Sequence, residues 1–420
     1  MLTARRIVLT PAVLLAGILV AQPLAIGATA PREETRALWV ERTALLSPNA
    51  ITAMVNAAKG GGFNTILVQV RALGEAFYDS AIDPRATSLD AQPASFDPLA
   101  TAIEVGHRAG LRVHAWINVN FVASAATLPR SRTHVVFRHP EWLMVPNALA
   151  SAIRNVDPQS PEYVAALARW TRGLSASVEG LYLSPATEGA QDYTTRVVTE
   201  IATKYSVDGV HLDYLRFPTE AFDYSRATLA AFRAQHAAAL PAADRQRLDA
   251  RAINEPAVWT AFLPEGWTTY RRERLTALAT RLVASIRTAR PQAIVSVAVG
   301  KSADEAVAYR FQDWRSWGAA ETFDALCPMI YTEDAQEFAD LLAKARPAAG
   351  PTPLWVGVGA YKLPVAGTAD RLRAVRRAGA AGFVLFSYDN LTNAPGRTSD
   401  YFTALRPFLI EPPAGEGLLR

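Results

Sequence analysis

Short β-rich runs alternate with longer helical patterns from residue 36 onward, and this alternation limits the possible folds more than any other feature of the chain. The segments between the runs begin at Ser, Asp or Pro and end at Gly or Pro, as helices commonly do. Eight strands that alternate with helices predict an α/β fold, a (β/α)8 barrel of the TIM type. The predicted strands span residues 37–42, 64–71, 112–119, 208–215, 293–299, 323–331, 354–361 and 382–388.

An open, doubly wound α/β sheet is the main alternative to the barrel. Such sheets commonly carry a Gly-rich phosphate-binding loop after a strand, but GKSAD (300–304) and GGGFN (60–64) lack the required spacing. The barrel is therefore favoured. The connections over 121–178 and 219–266, after the third and fourth predicted strands, are too long for plain loops. We expect both to be insertions at the barrel end where such enzymes build substrate clefts.

The first thirty residues differ from the rest of the chain. Arg5 and Arg6 precede an apolar segment over about 7–20, and small residues follow it. This pattern predicts a secretory signal peptide over residues 1–30, followed by an exported, periplasmic or extracellular barrel over residues 31–410. No stable membrane insertion is then expected after cleavage. A retained membrane anchor is the alternative, because the apolar length approaches the ~20 residues that a span requires.

The composition limits the classes of molecule that the protein is expected to bind. Half of the 420 residues are hydrophobic, so a large core can form, and 43 Lys and Arg against 39 Asp and Glu give a net charge of only +4. The basic residues are scattered and are not interleaved with aromatic residues, so nucleic acid is not an expected partner. Cys327 is the only cysteine, which excludes an intramolecular disulfide, and we expect it to be a small buried hydrophobe. Residues 411–420 are expected to form a flexible tail.

Polar and aromatic residues share one face of the predicted strands, whereas the other face is nearly all aliphatic. Alternate strand residues in a closed barrel point to its axis, and those near the carboxyl ends reach the mouth. Burying an unpaired charge costs several kcal/mol of folding free energy. The charged residues on this face therefore predict a functional site. Sugars suit it, since their hydroxyls bind polar side chains and their C–H faces stack on aromatic rings. The inward positions are Trp39, Glu41, Gln69, Arg71, His114, Trp116, Asn118, His211, Asp213, Met329, Tyr331, Gly357, Gly359, Tyr361, Ser387 and Asp389.

Asp213 is the strongest functional candidate on this face, because it lies at the catalytic end of the fourth predicted strand. Arg71 could pair with Asp213 or with Glu75 and hold the loop. His114 and His211 lie deeper in the predicted barrel and fit structural hydrogen bonding better than catalysis.

Several of these segments resemble, in order along the chain, a known bacterial family, the glycosyl hydrolase-like family 10 (DUF187). They are RALWVE, NTILVQVRALGEAFYDS, HRAGLRVHAWINV, YSVDGVHLDYLRFP and FDALCPMIY. The resemblance runs from about residue 35 to residue 390 and implies a barrel-type glycoside hydrolase of the cell envelope. It also implies a polysaccharide substrate, with peptidoglycan glycan strands as the expected one. The chain departs from the family at Met329, where Gln is common, and at VAVGKSAD (297–304) in the fifth strand.

Glycosidic cleavage normally needs two carboxyl groups. We expect Asp213 to act as nucleophile or general base, held ionised by Arg71 and oriented by Asn118 or Tyr331. Glu333, just past the sixth strand, is the expected proton donor, with Glu41 and Asp389 as further candidates. The expected substrate-binding residues are Gln69, Arg71, Glu75, Trp116, Asn118, His211, Tyr331, Tyr361 and Asp389. No cofactor or metal is expected.

Two other functions stay open at this point. The missing fifth-strand pattern leaves room for a catalytically inactive barrel that only binds glycans. A metal-dependent hydrolase would need clustered ligands, which His114, His211 and Asp213 could supply. Protein partners are not indicated by the sequence.

Overall fold

The structure is a computed structural model that describes residues 33–174, 177–392 and 400–411. The predicted signal peptide over 1–30 lies outside the described residues, as does the predicted tail apart from Glu411. Among the described helices, none combines the length and the apolar character needed to cross a bilayer.

Eight parallel strands close into a barrel, which confirms the predicted fold. Each strand pairs with the next, and the last pairs with the first through Ala37 and Val384. The strands are β1 (Thr35–Val40), β2 (Thr65–Ala72), β3 (Arg112–Asn118), β4 (Gly209–Asp213), β5 (Ile294–Val299), β6 (Ala325–Ile330), β7 (Trp355–Val358) and β8 (Gly382–Leu385).

Capping residues explain where several of the surrounding helices begin. Ser47 and Asp97 each accept a hydrogen bond from a backbone N–H of the first helical turn, and a proline follows each cap. The helices of the barrel layer are Pro48–Gly61, Pro98–Arg108, Glu188–Lys204, Pro264–Ala289, Ala303–Arg310, Trp314–Ala319, Ala335–Ala348, Val365–Arg377, Tyr388–Thr392 and Tyr401–Leu409. Short 3-10 turns span Arg42–Leu45, Thr87–Leu89, Pro140–Trp142 and Ala360–Lys362.

The chain between β3 and β4 adds a small layer over the barrel mouth. Its strand Phe121–Ser124 pairs antiparallel with Gly180–Tyr182. The short helices of this segment are Val135–Arg138, Asn147–Ala150 and Pro161–Arg172. We call residues 119–187 the β3–β4 insertion. A further short strand, Glu75–Ala76, pairs with the end of β2.

The chain between β4 and β5 carries its own apolar cluster, which includes Phe232, Trp259 and Trp267. Its additional helices are Arg226–Ala237, Ala242–Ala252 and Val258–Phe262.

The hydrophobic core has two main parts that follow the predicted strand faces. Outward residues such as Leu38, Ile66 and Val113 pack against the helices, and a smaller cluster fills the barrel interior. Cys327 belongs to this interior cluster and is fully buried, so it is the buried hydrophobe that the sequence predicted.

Candidate active site

A cavity of about 440 Å³ opens at the carboxyl end of the barrel, where β3 ends at Asn118 and β4 ends at Asp213. Inward residues of the strands form its base, and the β3–β4 insertion forms part of its wall. The lining residues are Trp39, Glu41, Arg42, Gln69, Leu73, Trp116, Asn118, Phe121, Ser124, Glu179, Asp213, Tyr214, Arg216, Met329, Tyr331 and Phe386. Three of these residues, Glu41, Glu179 and Asp213, carry carboxyl groups.

Asp213 lies at the base of this cavity and is only 8% exposed. Its Oδ2 accepts a hydrogen bond from Trp116 Nε1 at 3.1 Å, and its Oδ1 accepts one from the backbone N–H of Tyr214 at 2.6 Å. Burial raises the pKa of Asp213, although these two hydrogen bonds and the charge of Arg216 oppose the rise. The site therefore favours the protonated form of Asp213 more than water does.

Arg71 does not pair with Asp213, so that expectation is wrong. Arg71 is fully buried outside the cavity, with Nε 2.6 Å from Asp83 Oδ2 and Nη2 3.2 Å from the hydroxyl of Tyr193. It also donates to the backbone carbonyl of Asn118. Arg71 thus joins the loop after β2 to the helix Glu188–Lys204. Its partner Asp83 lies in that loop, where strand parity gives no information about side-chain direction.

Glu333 is exposed and does not line the cavity, although the sequence suggested it as the proton donor. Beyond β6 the chain leaves the mouth, and Asp334 caps the helix Ala335–Ala348. The backbone carbonyl of Glu333 accepts a hydrogen bond from Arg371 at 2.8 Å. Chain position after a strand was therefore a poor guide to the second carboxylate.

Glu41 lines the cavity at the end of β1. Its Oε2 accepts hydrogen bonds from Ser387 Oγ and from Asn390 Nδ2, both at 3.0 Å. Burial raises the pKa of Glu41, and the hydrogen bond from Ser387 opposes the rise. Asp389 is not among the lining residues. It accepts hydrogen bonds from the Glu41 backbone N–H at 2.8 Å and from Thr43 Oγ1 at 2.6 Å, and so holds the end of β1 in place.

Glu179 also lines the cavity, although it was not predicted from the sequence. Its Oε1 lies 2.6 Å from Arg216 Nη2, and its Oε2 accepts a hydrogen bond from the Tyr182 hydroxyl at 2.7 Å. Burial alone would raise the pKa of Glu179, but Arg216 and Tyr182 outweigh it, and the pKa is lowered. Glu179 belongs to the β3–β4 insertion, so the parity of the barrel strands could not reveal it.

Polar amides and aromatic rings complete the cavity. Gln69 accepts a hydrogen bond from Arg42 Nη1 at 3.1 Å and donates one to Asn118 Oδ1 at 3.3 Å. The rings of Tyr331 and Phe386 lie 5.4 Å apart, and the Tyr331 hydroxyl has no hydrogen-bond partner among the described residues. These groups match the polar and aromatic mouth that the sequence predicted.

Tyr361 and Glu75 lie outside the lining of the cavity. The ring of Tyr361 packs edge-on against that of Tyr331, with 6.4 Å between centroids. Burial raises the pKa of Glu75, and hydrogen bonds from Thr87 oppose the rise. The proposed contact of these two residues with substrate therefore has no support from the cavity as it stands.

His211 lies within the barrel and not on the cavity lining, so it supports the site from below. Its Nε2 accepts from Trp39 Nε1 at 3.1 Å, because an indole nitrogen can only donate. Its Nδ1 must then carry the proton and donate to Ser296 Oγ at 2.9 Å. Burial lowers the pKa of His211 to about 3 and keeps the ring neutral. Both nitrogens are occupied, which leaves His211 no free nitrogen for a metal.

His114 is fully buried deeper in the barrel, and neither of its ring nitrogens has a partner among the described residues. The described part of the chain contains no group of three or more His, Cys, Asp or Glu side chains placed to hold a metal ion. The arrangement of His114, His211 and Asp213 as three metal ligands is therefore not formed.

A family model described as glycosyl hydrolase-like 10 matches residues 34–371. The glycosyl hydrolase YngK of Bacillus subtilis is 26% identical over 162 residues, which are 37% of this chain and 26% of that protein. The glycosyl hydrolase DigH of Escherichia coli K12 is 26% identical over 165 residues, which are 36% of this chain and 30% of that protein. The matched segments thus span less than a third of either relative.

Two solved structures of similar fold carry names of carbohydrate-cleaving enzymes. The PgaB (BpsB) glycoside hydrolase domain of Bordetella bronchiseptica has a TM-score of 0.61 at 16% identity, covering 90% of this chain and 100% of that one. The catalytic domain of a beta-amylase from Paenibacillus polymyxa has a TM-score of 0.59 at 12% identity, covering 92% and 100%. At these identities the likeness concerns the fold.

Proposed function

Because the chain belongs to the glycosyl hydrolase-like 10 family, we propose that it is a glycoside hydrolase that cleaves a polysaccharide of the cell envelope. One observation carries the proposal: Asp213 and two glutamates line a single aromatic cavity at the carboxyl end of a closed barrel. Barrel enzymes place their active sites at this end, and glycosidic cleavage uses paired carboxyl groups.

The shape and chemistry of the cavity support a sugar ligand. Tyr331 and Phe386 offer ring surface for the C–H face of a sugar. The Gln69 and Asn118 amides offer donors and acceptors for hydroxyl groups. A volume of about 440 Å³ falls within the range of pockets that bind small ligands or single units of a polymer.

Asp213 is proposed as the proton donor. The sequence-based expectation that Asp213 is an ionised nucleophile or base depended on an ion pair with Arg71. Arg71 is instead paired with Asp83. Burial instead raises the pKa of Asp213, which suits a carboxyl group that must hold its proton until the glycosidic oxygen needs it.

The finer proposal is that the substrate is the glycan strand of peptidoglycan. Its support is the resemblance of the strand motifs to an envelope family and the signal-peptide pattern of residues 1–30, which predicts export. An exported enzyme of this class meets envelope glycans before any cytoplasmic sugar.

The test compares the purified protein with its Asp213→Asn variant on denuded and peptide-bearing peptidoglycan, with release of reducing ends as the measurement. We expect a loss of about 10²- to 10⁴-fold in kcat, the usual contribution of a general acid. Asp340→Asn is the matched control, because Asp340 is exposed on the helix Ala335–Ala348 and does not line the cavity, and it should keep full activity.

Two results would contradict the proposal. Full activity of Asp213→Asn would remove this residue from the mechanism. Binding of glycan fragments by the wild type without release of reducing ends from any envelope glycan would identify an inactive glycan-binding barrel.

A further inference from the structure

We infer that Glu179 is the second catalytic carboxylate, a general base delivered by the β3–β4 insertion and not by a barrel strand. The inference rests on the proposed function and assigns the partner of Asp213. Both residues line the same cavity. Arg216 is then a positioning residue that holds Glu179 ionised and in place.

The backbone beside Glu179 is fixed by close packing. Gly180 pairs with Ser124 in the two-stranded sheet and is pressed against the backbone of Ala123. A Cβ at Gly180 would lie 2.1 Å from the Ala123 carbonyl oxygen, so only glycine fits there. The rings of Phe121 and Tyr182 stack across the same sheet with 5.3 Å between centroids. Glu179 therefore projects from a rigid edge, as a catalytic group requires.

The carboxylate of Glu179 is oriented through both oxygens. Oε1 bonds Arg216 Nη2 at 2.6 Å and Oε2 bonds the Tyr182 hydroxyl at 2.7 Å. The Arg216 guanidinium lies 4.7 Å from the centroid of the Tyr214 ring, and its side chain is 13% exposed. The Glu179 side chain keeps 36% exposure. It is thus anchored by a largely buried partner while it stays open to water in the cavity.

The environments of the two carboxyl groups drive them toward opposite protonation states. Burial raises the pKa of Asp213, and the charge of Glu179 adds to the rise. Burial also tends to raise the pKa of Glu179. The charge of Arg216, whose Nη2 lies 2.6 Å from Glu179 Oε1, outweighs this effect, and the pKa is lowered. Paired groups whose environments separate their pKa values in this way divide into an acid and a base.

These states give a balanced hydrolysis. Asp213 passes its proton to the bridging glycosidic oxygen as the bond between that oxygen and the anomeric carbon breaks. Water attacks the anomeric carbon, and Glu179 takes the proton that the water loses. One water is consumed, Asp213 ends ionised and Glu179 ends protonated. Exchange of both protons with solvent restores the starting states.

Glu41, the third carboxyl group of the cavity, suits the base role less well. Burial raises its pKa, and the neighbouring charge of Asp389 also acts upward. Ser387 and Asn390 both donate to the same oxygen, Oε2. Glu41 is positioned for a hydrogen bond to substrate. Only Glu179, of these two glutamates, forms the ion pair with Arg216 that would keep a general base ionised.

The first experiment compares Glu179→Gln with Glu162→Gln on the glycan that the wild type cleaves. Glu162 lies in the same insertion, is exposed and does not line the cavity, so its variant controls for the substitution itself. We expect Glu179→Gln to lose about 10²- to 10⁴-fold in kcat and Glu162→Gln to keep wild-type kcat. Sodium azide should restore turnover to Glu179→Gln and release a glycosyl azide, because azide attacks the anomeric carbon without first losing a proton.

The second experiment separates a catalytic role from a structural one. Glu179→Gln leaves Arg216 without its ion pair and could unfold the insertion, so the double variant Glu179→Gln/Arg216→Met removes both charges together. We expect it to fold with a wild-type-like Tm and to stay as inactive as the single variant. In Arg216→Met alone, the pKa of Glu179 rises, so the acidic limb of the kcat/KM profile should move to higher pH.

The outcomes distinguish this inference from the proposed function. If the wild type releases reducing ends and Asp213→Asn does not, the proposed function holds. Wild-type kcat in Glu179→Gln or in the double variant then overturns the role of Glu179 alone, as does a lost rate that azide leaves unchanged in a folded variant. A wild type that cleaves no envelope glycan overturns both.

Discussion

The indole nitrogen of Trp116 donates a hydrogen bond to Asp213 Oδ2 at 3.1 Å, which joins the carboxyl-terminal ends of two adjacent strands, β3 and β4. Trp116 is itself 3% exposed and lines the cavity, which leaves its ring little freedom. The bond selects one orientation of the carboxyl group and stabilises its ionised form.

Replacing Trp116 by Phe keeps most of the ring surface but removes this donor. The ionised form of Asp213 then loses a hydrogen bond, and its pKa rises further. If Asp213 is the proton donor, the alkaline limb of kcat/KM should move to higher pH, and kcat should fall about 5- to 30-fold, as expected for 1–2 kcal/mol of lost orientation. Trp170→Phe, outside the cavity, is the control and should change neither.

Replacing Glu41 by Gln tests whether Glu41 binds substrate and takes no part in proton transfer. A glutamine oxygen can still accept from Ser387, so the local fold should persist. We expect KM to rise while kcat stays within about tenfold of wild type, because a substrate hydrogen bond is weakened and no proton transfer is lost. Steady-state kinetics on the same glycan measures both constants. A kcat loss as large as that of Asp213→Asn would assign Glu41 to the chemistry.

Replacing His114 by Leu should not destabilise the protein. The ring is fully buried with both nitrogens unpartnered among the described residues, so burial of its polar atoms costs free energy that Leu would not incur. At pH 7 we expect the free energy of unfolding to stay unchanged or to rise by about 1–3 kcal/mol. Urea denaturation measures it, and a loss above about 2 kcal/mol would show that packing at this site outweighs the polar penalty.

The same variant should flatten the pH dependence of stability. Burial lowers the pKa of His114 to about 4, whereas in the unfolded chain the imidazole keeps its ordinary pKa of 6.5. The unfolded state therefore binds more protons between these values, and wild-type stability falls as the pH drops through this window, by up to about 1.4 kcal/mol per pH unit from this residue. Urea denaturation at pH 5 and pH 7 should show a smaller difference for His114→Leu than for wild type.

Arg71 and Asp83 form a buried pair at 2.6 Å, and both side chains are fully inaccessible. Arg71→Met leaves the Asp83 charge uncompensated, so we expect a loss of about 3–5 kcal/mol in the free energy of unfolding. The double variant Arg71→Met/Asp83→Leu removes both charges and should recover a large part of that loss. Urea denaturation of the two single variants and the double variant gives the coupling. Additive losses would show that the pair acts through separate contacts.

Whether the sequence correctly predicted a residue of the candidate site depended on the element in which that residue lies. Asp213, Trp116, Asn118, Gln69, Tyr331 and Glu41 all lie on or directly after barrel strands, and all line the cavity as parity predicted. Arg71 departs from the predicted parity, because a register shift between Gln69 and Arg71 pairs it with the outward residue Ile117. Its guanidinium therefore bonds Asp83 in a loop and does not line the cavity. Glu333 and Asp389 lie beyond strand ends, where the chain leaves the barrel axis, and neither lines the cavity.

The sequence by itself determined the closed barrel and the identity of its polar end, because side chains alternate along a strand with a fixed period of two and parallel strands present their carboxyl ends together. Tertiary structure alone decided that Glu179 shares the cavity with Asp213. Glu179 reaches the cavity only because the β3–β4 insertion folds back over the mouth and Arg216 holds it there. Such a contact joins residues of an irregular segment, whose direction is set by packing and not by any local repeat of the sequence.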